Sequence, residues 1–135
     1  MLERGDILEA KNRQKGAGEH YIIFYAGKDE THFLGGMLST SEYRGENIPM
    51  DRSHFETKDL DEKEYKISYK NSHLVPAKLM KLESWGPFKI VGKLTKGGVK
   101  FVENHIDHLD EILWEDYLEL RKKAVFKKTK ASQPQ

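Results

Sequence analysis

Three consecutive hydroxyls, Ser39, Thr40 and Ser41, close an apolar run that begins at Phe33, and Arg44 follows three residues later. Hydroxyls and backbone N–H groups at the end of a strand can bind phosphate oxygens. An arginine nearby adds a planar cationic fork for the same anion. The same hydroxyls also suit ordinary side-chain-to-backbone turns. His20 is a second candidate. It stands where a polar, glycine-rich stretch, "NRQKGAGE", gives way to the apolar "YIIFYAG", and a histidine at such a junction can move protons near neutral pH. Arg13 and Lys15 put positive charge beside it. His105 and His108 are three apart next to Asp107 and Asp110, a spacing that metal sites use; without a recognisable third ligand they read as a solvated helix face. His54 and His73 have no recognisable partners in the sequence.

These residues need elements to hold them. "GDILEA" (5–10) predicts a short first strand, "HYIIFYAG" (20–27) a second and "THFLGGML" (31–38) a third, with the short 27–31 connection making the last two an antiparallel hairpin. Gly35 and Gly36 predict a bulge or sharp bend. Residues 52–66 read as a charged excursion with one edge strand. Two strand-like pieces follow in 65–82, with Pro76 at an edge or bulge, and 83–94 reads as a structured connection packing Trp85 and Phe88. Val99, Val102, Ile106, Leu109, Leu113, Tyr117 and Leu120 recur every three or four residues, which is the period of an amphipathic helix. Gly97 and Gly98 weaken its start, and a cap at Asp107 or Asp110 would divide it in two. The plan is α+β: a small antiparallel barrel or strongly bent sheet followed by a C-terminal helix or helices.

Bulk properties narrow the classes. A chain of 135 residues fits one domain, here 1–123, with 124–135 as a basic flexible tail. The absence of cysteine excludes disulfides, thiolate zinc sites and cysteine nucleophiles. No apolar run reaches membrane-spanning length, and Glu3, Arg4 and Asp6 interrupt any signal-like core, so a cytoplasmic protein is expected. The net charge is +1, from 23 basic and 22 acidic residues. Arg121, Lys122, Lys123, Lys127, Lys128 and Lys130 form a terminal run without an acid, which leaves 17 basic residues against 22 acidic ones in the body. Such a run could touch nucleic acid or simply be solvated.

The order Arg4-Gly5-Asp6-Ile7, polar loop, strand, then a strand ending in Thr40-Ser41 resembles the PemK/MazF-type toxins, growth-inhibiting endoribonucleases on an SH3-like barrel. The motifs cover about the first 41 residues. Where the family usually opens its second strand with Arg-Pro, this chain has Glu19-His20. The resemblance implies metal-independent cleavage of single-stranded RNA and no cofactor. His20, Thr40, Ser41 and Arg44 would carry the catalysis, and Arg13, Lys15 and Ser39 would contact RNA. It also implies a homodimer and a cognate antitoxin as partner. Two other readings stay open: a non-catalytic SH3-like module that binds nucleic acid or protein, and a toxin acting on a protein target such as gyrase.

Overall fold

The computed structural model describes residues 2–10, 21–67, 69–82 and 88–131, with 124–131 as backbone. The order is β1 (Asp6–Ala10), β2 (Tyr21–Gly27), β3 (His32–Ser39), β4 (Ile48–Pro49), a 3-10 turn (Arg52–His54), β5 (His73–Leu74), β6 (Lys78–Leu82), β7 (Phe88–Lys93), α1 (Lys96–Ile106), β8 (Glu111–Leu113) and α2 (Trp114–Ala131). The fold is α+β. The strands form one sheet in the order β4-β5-β3-β2-β1-β7, with β6 joining the outer side of β3 and β8 joining β6. All pairs are antiparallel except β6 with β8. Among the described residues the sheet does not close into a barrel.

β2 and β3 form the expected hairpin, from Tyr21 opposite Leu38 to Gly27 opposite Phe33. The bulge announced by the glycine pair lies on the partner strand. The register shifts between Phe24 and Ala26, opposite Gly35 and Leu34. Gly35 allows this because a Cβ there would come within 2.7 Å of the Ile23 carbonyl oxygen. β3 has a continuous apolar run because both its faces are covered. Leu38 and its partner Leu74 join Ile7, Ile23, Val102 and Ile106 in one core, under α1. Met37 joins Val75 and Leu79 in another core on the α2 side, with Trp114 and Tyr117 packed against it.

The Arg4-Gly5-Asp6 segment is a turn that starts β1. Gly5 has φ 101°, open to glycine, and a Cβ there would meet Val99 Cγ2 at 2.7 Å. The buried Asp6 carboxylate accepts the Glu3 N–H (2.8 Å), and Arg4 Nε donates to the Tyr25 carbonyl (2.8 Å). The segment read as a connection, 83–94, contains the full strand β7, which pairs with β1 from Asp6–Lys93 to Ala10–Phe88. Phe88 does pack, edge-on against Phe33 at 5.3 Å between ring centroids; Trp85 lies outside the described residues. Pro76 falls in the bend between β5 and β6.

The helical stretch does divide in two, but neither aspartate caps the second helix. Thr95 caps α1, accepting the Gly98 N–H at 3.1 Å. Gly98 sits in that first turn because a Cβ would lie 2.2 Å from the His54 carbonyl oxygen. Asp107 ends α1, and β8 intervenes before α2, which continues past residue 122 to Ala131.

Candidate functional site

Two of the three hydroxyls build the loop that follows β3. Ser39 Oγ accepts the Ser41 N–H at 3.0 Å, and Ser41 Oγ accepts the Tyr43 N–H at 3.1 Å. These are two successive hydroxyl turns, so the structural use anticipated for such residues is realised here. The chain then enters left-handed backbone at Tyr43 (φ 45°), Arg44 (φ 56°) and Gly45 (φ 80°). Left-handed non-glycine residues cost on the order of 1–2 kcal/mol each, and they persist only where surrounding contacts enforce them. Here the enforcing contacts come from Asn47 inside the loop and from Arg121 outside it.

Asn47 is buried. Its Nδ2 donates to the Ser41 carbonyl (2.9 Å), its N–H donates to the Glu42 carbonyl (3.0 Å), and its Oδ1 accepts from Arg121 Nη2 (2.5 Å). Arg121 reaches across from α2, one helical turn beyond Tyr117. Its guanidinium carbon lies 3.9 Å from the Tyr43 ring centroid and 4.9 Å from that of Tyr117. Its Nε stands 3.4 Å from Glu46 Oε2 and makes no hydrogen bond among the described residues. Arg121 is only 8% exposed, so its charge is compensated by Glu46, Asn47 and two aromatic faces rather than by water. Burial raises the Tyr117 phenol above its ordinary pKa, and the adjacent Arg121 partly offsets this. Thr40 and Arg44 are exposed at the outside of the clasped loop.

The sheet register brings in a residue that no motif singles out. Ser39 pairs directly with His73 on β5, and His73 also pairs with Pro49 on β4. Directly opposed residues share a face, with Cβ atoms about 4.5–5.5 Å apart. His73 is 8% exposed, and its Nδ1 lies 3.0 Å from the Asn71 carbonyl oxygen. A carbonyl can only accept, so this contact puts the proton on Nδ1 of the neutral ring and the lone pair on Nε2. Cross-strand pairing is the signal that reveals His73, and the two-residue β5 is too short to announce itself in sequence.

His20, Arg13 and Lys15 lie outside the described residues. Tyr21, the first described residue of β2, pairs with Leu38. The start of β2, the hydroxyl end of β3 and β5 therefore share one end of the sheet. His105 lies in the last turn of α1 and His108 in the turn beyond it, and among the described residues no group of three or more histidine, aspartate or glutamate side chains is placed to hold a metal ion. His105 packs at a tilt against Phe101 (ring centroids 4.5 Å apart), which packs at a tilt against His54 in turn (4.5 Å). His54 Nδ1 accepts the Asp51 N–H (3.1 Å) and so closes the cap of the 3-10 turn.

A cavity of about 460 Å³ opens near the start of β1, toward the other end of the sheet. Glu3, Asp6, Glu56, Asp59 and Asp61 line it, against Lys58 and Lys93. Lys93 bonds the Glu3 carboxylate (3.0 Å) and holds its pKa below the ordinary value. An anionic cavity repels a polyanion. The phosphate-compatible groups are instead those around Ser39–Arg44. Compared with protein-family models, curated proteins and solved structures, the chain matches none.

Proposed function

We propose that this protein is a metal-independent endoribonuclease of the PemK/MazF toxin type that cuts single-stranded RNA at the end of β3. The observation that carries the reading is the register that sets Ser39 opposite His73 and Leu38 opposite Tyr21, beside a clasped loop presenting Thr40 and Arg44. In this reading His73, with Nδ1–H directed to the Asn71 carbonyl, takes a proton from a ribose 2′-OH on Nε2 through the small part of its surface that is exposed. The 2′-oxygen then attacks the adjacent phosphorus. Thr40 and Arg44 donate to the phosphate oxygens as negative charge grows on them. The bond to the 5′-oxygen breaks, and that oxygen takes a proton from an acid, the role we give to His20. The products are a 2′,3′-cyclic phosphate and a 5′-hydroxyl. Unpaired RNA suits such a site because its backbone can splay and expose the 2′-OH. Following the resemblance, the enzyme acts as a homodimer and is restrained by an antitoxin covering this end of the sheet.

The test is incubation of the purified protein with a mixed RNA pool in EDTA, followed by analysis of fragment ends. Cyclic phosphate and 5′-hydroxyl ends are expected. His73→Ala and His20→Ala should each slow cleavage by at least about tenfold, since an acid or base contributes about 10²–10⁴-fold. Thr40→Ala should act more mildly, since a neutral hydrogen bond is worth about 0.5–1.5 kcal/mol. RNA left intact by the wild type rejects the reading in favour of a binding module or a protein-directed toxin.

A further inference from the structure

α2 is two helices in charge. Its first turn carries Glu115 and Asp116, and Glu119 follows. From Arg121 to Lys130 there are six basic residues and no acid. Acids at an N-terminus and cations in a last turn complement the helix dipole, but that effect fades within one turn. The basic stretch covers nearly three turns, about 15 Å of helix at 1.5 Å per residue. It therefore needs a further reason.

Its position supplies one. Arg121, the first of the six, is the residue that clasps the Tyr43–Asn47 loop. Its function in the fold absorbs its charge. Lys122 and Lys123 are exposed immediately beyond it, and the helix carries Lys127, Lys128 and Lys130 onward to Ala131. Beyond the Arg121–Glu46 pair of the clasp, Lys122 pairs with Glu119 at 4.0 Å, a solvent-exposed contact worth little. The basic half of α2 thus starts at the loop that carries Thr40 and Arg44 and leads away from it, while the acidic cavity occupies a separate part of the surface. The clasp fixes the origin of the cationic track relative to the loop.

We infer that residues 122–130 of α2 are a cationic rail for the sugar-phosphate backbone of a single strand, holding the RNA that flanks the phosphate at the Ser39–Arg44 loop. The occupant is a single-stranded polyanion. Five lysines within nine residues of one helix supply positive charge without a base-reading pattern, so the rail adds affinity and sets a minimum substrate length but not a sequence preference. That the strand is cleaved at the loop rests on the nuclease reading above; that it binds along α2 does not.

The experiment compares full-length wild type with a variant in which Lys122, Lys123, Lys127, Lys128 and Lys130 are all replaced by glutamine. A second variant, Lys96→Gln with Lys100→Gln on α1, serves as control. Binding of a fluorescent 12-nucleotide RNA and of a tetranucleotide is measured in EDTA across a salt series. For the 12-mer, each engaged lysine contributes about 0.7 to the slope of log K against log salt, so the five-fold variant should lose roughly 2–3.5 of that slope and at least about tenfold in affinity near 0.1 M salt. The tetranucleotide should lose less, and the α1 control should match wild type. An unchanged slope, or equal losses for long and short RNA, overturns the rail. Binding to phosphatidylserine vesicles with none to RNA overturns it too, in favour of a membrane surface. Wild type that binds RNA through these lysines but cleaves none keeps the rail and removes the nuclease. Cleavage that persists with an unaltered slope does the reverse.

Discussion

Arg121→Ala tests whether helix α2 holds the loop in its left-handed form. The substitution removes a charged hydrogen bond to Asn47, worth about 1.5–3 kcal/mol, and stacking on Tyr43, worth about 0.5–2 kcal/mol. It also relieves the burial of an Nε without a hydrogen bond, which returns about 1–2 kcal/mol. The net cost to the loop is about 1–3 kcal/mol, or roughly five- to 150-fold in its closing equilibrium. Glu46 and Asn47 report it directly, because their amides bond the Tyr43 and Glu42 carbonyls within the loop at 3.1 and 3.0 Å. Amide hydrogen exchange at those two positions should accelerate by that factor, while exchange in β2 changes little. Arg121→Lys should resemble alanine more than wild type, because an ammonium cannot reproduce the planar fork stacked on tyrosine. Unchanged exchange at Glu46 and Asn47 would refute the clasp, even if urea unfolding showed a loss of global stability.

Neighbouring glycines should diverge on substitution. Gly98→Ala should cost about 2–4 kcal/mol in urea denaturation, since its Cβ collides with the His54 carbonyl, whereas Gly97→Ala, whose nearest contact is Thr95 Oγ1 at 3.7 Å, should stabilise by about 0.5–1 kcal/mol. Lys81 is 4% exposed, and burial lowers its pKa to about 8, with Glu115 opposing that shift. The folded state then holds fewer protons than the unfolded state between about pH 8 and 10.5, so stability should rise across that window. Lys81→Met should flatten the rise and gain on the order of 2–3 kcal/mol at pH 7, a benefit that fades as the pH reaches 10.5, as read by urea titrations at several pH values. Light scattering at tens of micromolar should give twice 15.7 kDa, and a monomer would remove the proposed dimer.

The three N-terminal strands were legible because each is rich in β-branched, aromatic or aliphatic residues and bounded by turn residues; where they are described, they agree with the sequence expectation to within a residue. β7 was hidden because its residues follow "ESWGP", whose glycine and proline suggest a connection, and its partner β1 is remote in sequence. The apolar period through Leu120 overran its cause. Val102 and Ile106 on α1 are buried, but Leu113 belongs to β8 and Leu120 is 56% exposed, so the regular spacing continued across the break between the two helices. At the site, the hydroxyl turn chemistry was readable locally from Ser39 and Ser41. His73 and Arg121 were not, since only the register of β3 with β5 and the packing of α2 bring them to residues more than thirty positions away.

The pairing of β1 with β7 also bears on how the chain is made. Asp6 emerges from the ribosome early, yet its ladder partner Lys93 follows roughly 87 residues later. At about 5–20 residues per second, that is a wait of roughly 4–17 s. The β2–β3 hairpin can form in microseconds once synthesised, and β1 can add to it, but the free side of β1 stays an open edge throughout. Slow codons placed between β3 and β7 would lengthen that exposure and lower soluble yield, whereas the same codons after α1 would not.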